Sequence, residues 1–184
     1  MRHFTVAPPL RTKGRKNNGL RGLAGKPFHP PLTDIPIAAY LFAAVFDLLS
    51  LVLHNNHAEL GKELFHAATW VLIGGAAVSL LAALTGWADW HRSSEAGTQA
   101  RRTINTHATI MLTVTAVVLA DLALRLTTYD DDQRSTGLLV VLSVIAASLV
   151  SLGATYGGSM VYDYGFNVET AGDHPVYHPS ETDV

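Results

Sequence analysis

The sequence predicts an all-α fold, an integral membrane four-helix bundle. Three observations carry this: four apolar runs of spanning length, a composition too oily for a soluble chain of this size, and basic residues concentrated on alternate connections. The 184 residues leave room for one domain. Their 48% hydrophobic content and mean hydropathy of +0.22 point to lipid as the missing solvent. With no cysteine in the chain, disulfides, thiolate metal sites, iron–sulfur ligation and cysteine nucleophiles are excluded together. A net charge of -2 argues against a dedicated nucleic-acid binder.

The apolar runs cover about 32–53, 64–88, 103–126 and 136–161, each as long as the ~20 residues a helix needs to cross hydrocarbon. The fourth has no charge from Gly137 to Tyr162, and its stretch from Leu138 to Leu149 holds only Ser143 and Ser148 as polar residues. A helix of a soluble bundle would carry a polar stripe there. The chain therefore divides into a basic tail over 1–28, a four-span domain over 29–165 and a polar carboxyl-terminal tail over 166–184, expected to be disordered. The first span reads as a retained anchor, because a secretory signal would place a shorter apolar core sooner and follow it with small residues.

Orientation follows from the basic residues. Arg2, Arg11, Lys13, Arg15, Lys16, Arg21 and Lys26 precede the first span, and Arg92, Arg101 and Arg102 lie on the second connection. The other side has Lys62, Arg125 and Arg134, with the acidic turn Asp130-Asp131-Asp132. The positive-inside rule then places the amino terminus in the cytoplasm, and the carboxyl terminus is expected on the same side by parity, after four crossings.

If the helices alternate in direction, the starts of spans one and three share a leaflet with the ends of spans two and four. That gathers His29 to Pro36, Gly86 to Trp90, Asn105 to His107 and Gly157 to Tyr162 into one layer. At 1.5 Å per residue, Asp47 lies ~20 Å deeper than Asp34, and Asp121 lies ~21 Å beyond His107. Asp47, Asp121 and Arg125, with His66, are thus expected near the opposite leaflet as a second polar layer.

Each polar residue has a structural reading beside a functional one. Thr33 and Asp34 stand where a helix N-cap would be, with Pro36 in the first turn. Asp89 marks where the second helix leaves the membrane. Asp121 and Arg125 are spaced for a local i,i+4 ion pair. Asp47 is an intramembrane carboxylate, by default functional or tightly paired, with Arg125 and His66 as its nearest partners. His107 is the best ligand candidate, since imidazole binds haem iron, and His29 lies on the correct side to be its partner. Tyr162 closes the list of polar candidates. Trp70, Trp87 and Trp90 read as an interfacial belt. Small residues at four-residue spacing, Gly75, Ser79 and Ala83 in span two and Gly153 and Gly157 in span four, predict close packing of these two spans, with each other or across a homo-oligomer contact.

The blocks Gly25 to Pro30 with Leu32 to Ile37, Gly86-Trp87-Ala88-Asp89-Trp90, His107-Ala108 and Gly157 to Tyr162 with Gly165 and Val168 resemble the signature blocks of a bacterial family of membrane proteins, the domain of unknown function 2231. The resemblance covers roughly Gly25 to Val168. It implies a four-helix inner-membrane domain, joined in some members to a Rieske-type iron–sulfur module, which this sequence lacks. Several members carry a histidine or charged residue at the position of Ser159, and often an arginine at that of Asp163. Three functions are compatible with the residues. The first and preferred is a non-enzymatic subunit of a larger membrane complex, since no nucleophile–base spacing, phosphate-binding loop or zinc signature is visible. The second is electron transfer through haem b or quinone, with His107 and His29 as axial ligands. The third, more distant, is ion or proton transport through Asp47, Asp121 and His107.

Overall fold

A computed structural model of the chain describes Leu20, residues 27–129 and residues 133–168. The acidic turn of Asp130 to Asp132 and most of both tails lie outside the described residues. Four helices follow one another: α1 (His29–Leu53), α2 (Ala58–Ser93), α3 (Gln99–Thr127) and α4 (Gly137–Tyr162). All four are long and apolar enough to cross a membrane. At 1.5 Å per residue the 36 residues of α2 reach ~54 Å, well beyond a ~30 Å hydrocarbon core.

The first helix corrects one expectation. Neither Thr33 nor Asp34 caps it; α1 begins at His29, with Phe28 in the cap position and Pro30 and Pro31 in the first turn. Proline is tolerated there because first-turn N–H groups have no intrahelical acceptor. The Thr33 hydroxyl instead donates to the Pro30 carbonyl at 2.7 Å, and Asp34 is exposed. Two other starts do carry side-chain caps. Thr98 accepts from the Arg101 N–H at 3.1 Å, and Thr136 from the Leu139 N–H at 3.5 Å. Gly97 opens the turn before α3 with φ of 83°, a conformation glycine adopts at no steric cost.

Around the bundle, α1 packs on α2 and α4, and α3 packs on α4 and α2. The diagonal pairs α1/α3 and α2/α4 do not touch through their backbones. The expected packing of span two on span four is therefore replaced by packing on sequence neighbours. A Cβ on Gly75 would lie 2.7 Å from Ala39 Cβ on α1, and one on Gly153 would lie 2.6 Å from Met111 Sδ on α3. Small-residue stripes report close approach but not the identity of the approaching helix. Ser79 is also buried, Gly157 is half-buried, and Ala83 faces outward.

Tyr40, Leu72, Val114, Val118 and Val150 anchor the continuous buried core. Large apolar side chains cover the outside as well, with Leu84 64% and Leu112 63% exposed. Hydroxyls on that surface are satisfied locally: exposed Thr109, Thr113, Ser148, Ser151 and Thr155 each donate to the carbonyl four residues back, at 2.8 to 3.1 Å. This is how a threonine-rich helix such as α3 meets the requirement that no polar group face lipid unpaired.

Candidate functional site

Two polar layers lie at opposite ends of the bundle. At the end where α1 and α3 begin, two histidines adopt the same posture on different hairpins. His29 Nδ1 is 2.8 Å from the Ala82 carbonyl of α2 and 3.3 Å from Thr85 Oγ1. His107 Nδ1 is 2.8 Å from the Gly153 carbonyl of α4. A carbonyl only accepts, so each Nδ1 carries the proton and each Nε2 keeps its lone pair. Glycines seat both rings. A Cβ on Gly86 would come within 2.8 Å of His29 Cε1, and one on Gly157 within 3.5 Å of His107 Cε1. Both histidines are half-buried, and they lie within electrostatic reach of each other although α1 and α3 are diagonal.

Other residues of this end are sorted by the structure. Asp89 is buried and accepts a hydrogen bond from the Leu20 N–H at 3.1 Å, so it does more than mark a helix exit. Trp70 and Trp87 are exposed, 71% and 62%. Trp90 is not simply part of a belt: its Nε1 donates to Asn105 Oδ1 at 2.8 Å, and the Arg101 guanidinium lies 3.8 Å above its ring. Tyr162 is 88% exposed and Asp34 points outward, so neither joins the histidine layer.

The opposite layer is fully buried. Arg125 of α3 donates through Nε to Asp121 Oδ1 at 2.8 Å and through Nη2 to Asp47 Oδ2 on α1, while Nη1 is 3.3 Å from Thr69 Oγ1 on α2. The Phe65 ring lies 5.5 Å from the guanidinium carbon. Ser135, in the connection to α4, donates to Asp47 Oδ1 at 2.6 Å, and its N–H donates to Ser50 Oγ at 3.0 Å. Ser50 in turn donates to the Gly61 carbonyl at 2.6 Å. One guanidinium thus spans the diagonal that the helix backbones leave open. Removing either partner of such a pair leaves a buried charge uncompensated, at a cost of about 3–5 kcal/mol. Asp47 has donors on both oxygens, whereas Asp121 Oδ2 is buried with no hydrogen-bond partner among the described residues.

The structure therefore brings together Asp47, Asp121 and Arg125, and separates His66, which is exposed beside Phe65. Ser50, Thr69 and Ser135 were not singled out from sequence. Ser50 carries a signal, three positions after Asp47 on the same helical face; Ser135 carries none, because it lies in a connection.

These features define a class: a bundle of four apolar, membrane-length helices with one buried ion-pair layer and one histidine layer. The chain belongs to the DUF2231 family, described as "Predicted membrane protein", whose family model matches residues 25–170. It is a multi-pass membrane protein of that family. No match was found among curated proteins or among solved structures.

Proposed function

We propose that the protein is a haem b-binding electron-transfer protein of the membrane, in which His29 and His107 would hold the haem iron. The observation that carries this reading is the paired Nδ1 bonding. Each imidazole gives its proton to a backbone carbonyl of the neighbouring helix, at 2.8 Å, and so keeps Nε2 as a free, correctly tautomerised donor atom. A carbonyl behind an imidazole fixes the ring plane and raises the basicity of the distal nitrogen. Among the described residues no group of three His, Asp or Glu could hold a bare metal ion. Two histidines suffice when a porphyrin supplies the remaining four nitrogens. When bound, haem b would supply a one-electron iron couple at this end of the bundle.

A subunit would offer small-residue faces to its partner, and two of the small residues, Gly75 and Gly153, are consumed by packing inside the chain. The hydrogen bonds of both histidines run through Nδ1, to Ala82 and Thr85 for His29 and to Gly153 for His107. The basic residues before α1, at the end of α2 and at the start of α3 support a cytoplasmic location for this end, and the family resemblance supports a bacterial inner membrane.

The test is an absorption spectrum of the full chain, purified in mild detergent from haem-replete cells, before and after dithionite. A Soret band with sharpened α and β bands on reduction is expected, and each of His29→Ala and His107→Ala should abolish six-coordinate character. A colourless preparation that also fails to take up added haemin would overturn the assignment.

A further inference from the structure

The ion-pair layer has a charge imbalance that packing alone does not explain. Two carboxylates face one guanidinium, and every one of these side chains is at most 1% exposed. The hydrogen bonds distribute unequally. Asp47 receives Arg125 Nη2 on one oxygen and Ser135 Oγ on the other, so its full negative charge is compensated. Among the described residues Asp121 receives only Arg125 Nε, on Oδ1, and its Oδ2 is buried with no hydrogen-bond partner. A second ionised carboxylate here would leave one uncompensated charge inside a bundle surrounded by lipid, the costliest arrangement a polar group can adopt. A neutral carboxyl with one unmade hydrogen bond is far cheaper.

We propose that the Asp47–Arg125–Asp121 cluster is a proton-binding site, in which Asp121 Oδ2 takes up one proton while Asp47 and Arg125 remain an ion pair. One O–H bond forms at Oδ2, the carboxylate becomes a carboxylic acid, and no electron moves. The groups that face Asp121 are few. Arg125 lies one turn on along α3, Asp47 approaches from α1, Thr69 reaches the cluster from α2 through the guanidinium, and Ser135 approaches from the connection to α4. The site sits at the end of the bundle opposite the histidine layer and does not depend on haem.

Infrared spectroscopy of the full chain in detergent reads the proton directly, because a protonated carboxyl group shows a C=O stretch that a carboxylate lacks. At about pH 6 exposed aspartates, with an ordinary pKa of about 3.9, are ionised and silent in that window. The expected result is one such band that shifts on labelling with [4-13C]aspartate, disappears in Asp121→Asn and is lost as the pH is raised. Asp47→Asn keeps Asp121 in place but removes the competing charge, so Asp121 should ionise against Arg125 and the band should vanish there too. Absence of an aspartate-dependent band in the unaltered protein overturns the proposal even if both variants fail to fold. Persistence of the band in either folded variant also overturns it.

Discussion

Arg125 and Asp47, 78 positions apart in the chain and on diagonally opposed helices, form a fully buried ion pair. Because α1 and α3 share no backbone contact, this pair bridges them across the diagonal, beside the α1/α4 and α2/α3 packing that also joins the two hairpins. Breaking it should therefore cost more than a typical polar substitution. Arg125→Ala is expected to lower stability by about 3–5 kcal/mol, from the stranded Asp47 carboxylate. Replacing all three members with apolar residues of similar volume, Asp47→Leu, Asp121→Leu and Arg125→Met, should lose less than the single variant. Denaturant titration in detergent, followed by tryptophan fluorescence, compares the two. A triple variant weaker than Arg125→Ala would show that shape rather than charge governs the layer.

Adjacent glycines in α2 should respond in opposite ways. A methyl group on Gly75 meets Ala39 Cβ at 2.7 Å and Tyr40 Cε1 at 2.9 Å, neither on a flexible side-chain end, whereas nothing lies within 4 Å of one on Gly74. Gly75→Ala should cost about 1–3 kcal/mol through overpacking against α1. Gly74→Ala should change stability by no more than about 1 kcal/mol, since alanine favours the helix and meets no neighbour. Thermal aggregation midpoints of the two variants measure the contrast.

These pairs also show how much the sequence disclosed. Length and hydropathy determine whether a segment can span a membrane, so four helices were legible without any tertiary information. Alternating helix direction then predicts that Asp47, Asp121 and Arg125 share a depth, and side chains as long as arginine close the remaining distance. Pairing of helix faces was not legible. Gly75 and Gly153 announce close approach, but a spacing pattern on one helix holds no information about which helix fills it. The cap of α1 was misplaced by five to six residues: Thr33 and Asp34 are cap-forming residue types, but Phe28 holds that position and Pro30 and Pro31 serve as first-turn residues. His66 shares the depth of the ion-pair layer yet projects outward, a matter of angular position that depth arithmetic ignores. The tautomers of His29 and His107 depend on carbonyls 53 and 46 positions away, beyond any local motif.

Gly86 and Gly157 offer a matched test of the histidine layer. Both sit beside an imidazole, but a Cβ on Gly86 would press to 2.8 Å on the His29 ring, while one on Gly157 makes ordinary contact with His107 at 3.5 Å. Gly86→Ala should therefore push His29 off its bond to Ala82 and lower haem occupancy severalfold. Gly157→Ala should retain the reduced-minus-oxidised spectrum of the unaltered protein. Equal spectra for the two variants would separate His29 from the ligand set.

The connection between α2 and α3 gives a test of orientation that is independent of cofactors. Arg101 stacks 3.8 Å above the Trp90 ring, and its Nη1 donates to the Ser94 carbonyl at 3.0 Å. Arg102 is exposed, bonded to Gln99 at 2.8 Å. Trp90→Ala removes the stacking face and the bond to Asn105. A cation–π contact is worth about 1–2 kcal/mol when partly desolvated. Local opening, and with it trypsin cleavage near Arg101, should rise about tenfold, since about 1.4 kcal/mol is a factor of ten in an equilibrium. The same cleavage reports the side of the membrane. With Arg92, Arg101 and Arg102 in the cytoplasm, trypsin should cut the connection in inverted vesicles and leave it intact in sealed spheroplasts, with Trp90→Ala amplifying the first result and not the second. Cleavage confined to spheroplasts would reverse the orientation, carrying the histidine layer to the outer face and the Asp47–Arg125–Asp121 layer toward the cytoplasm.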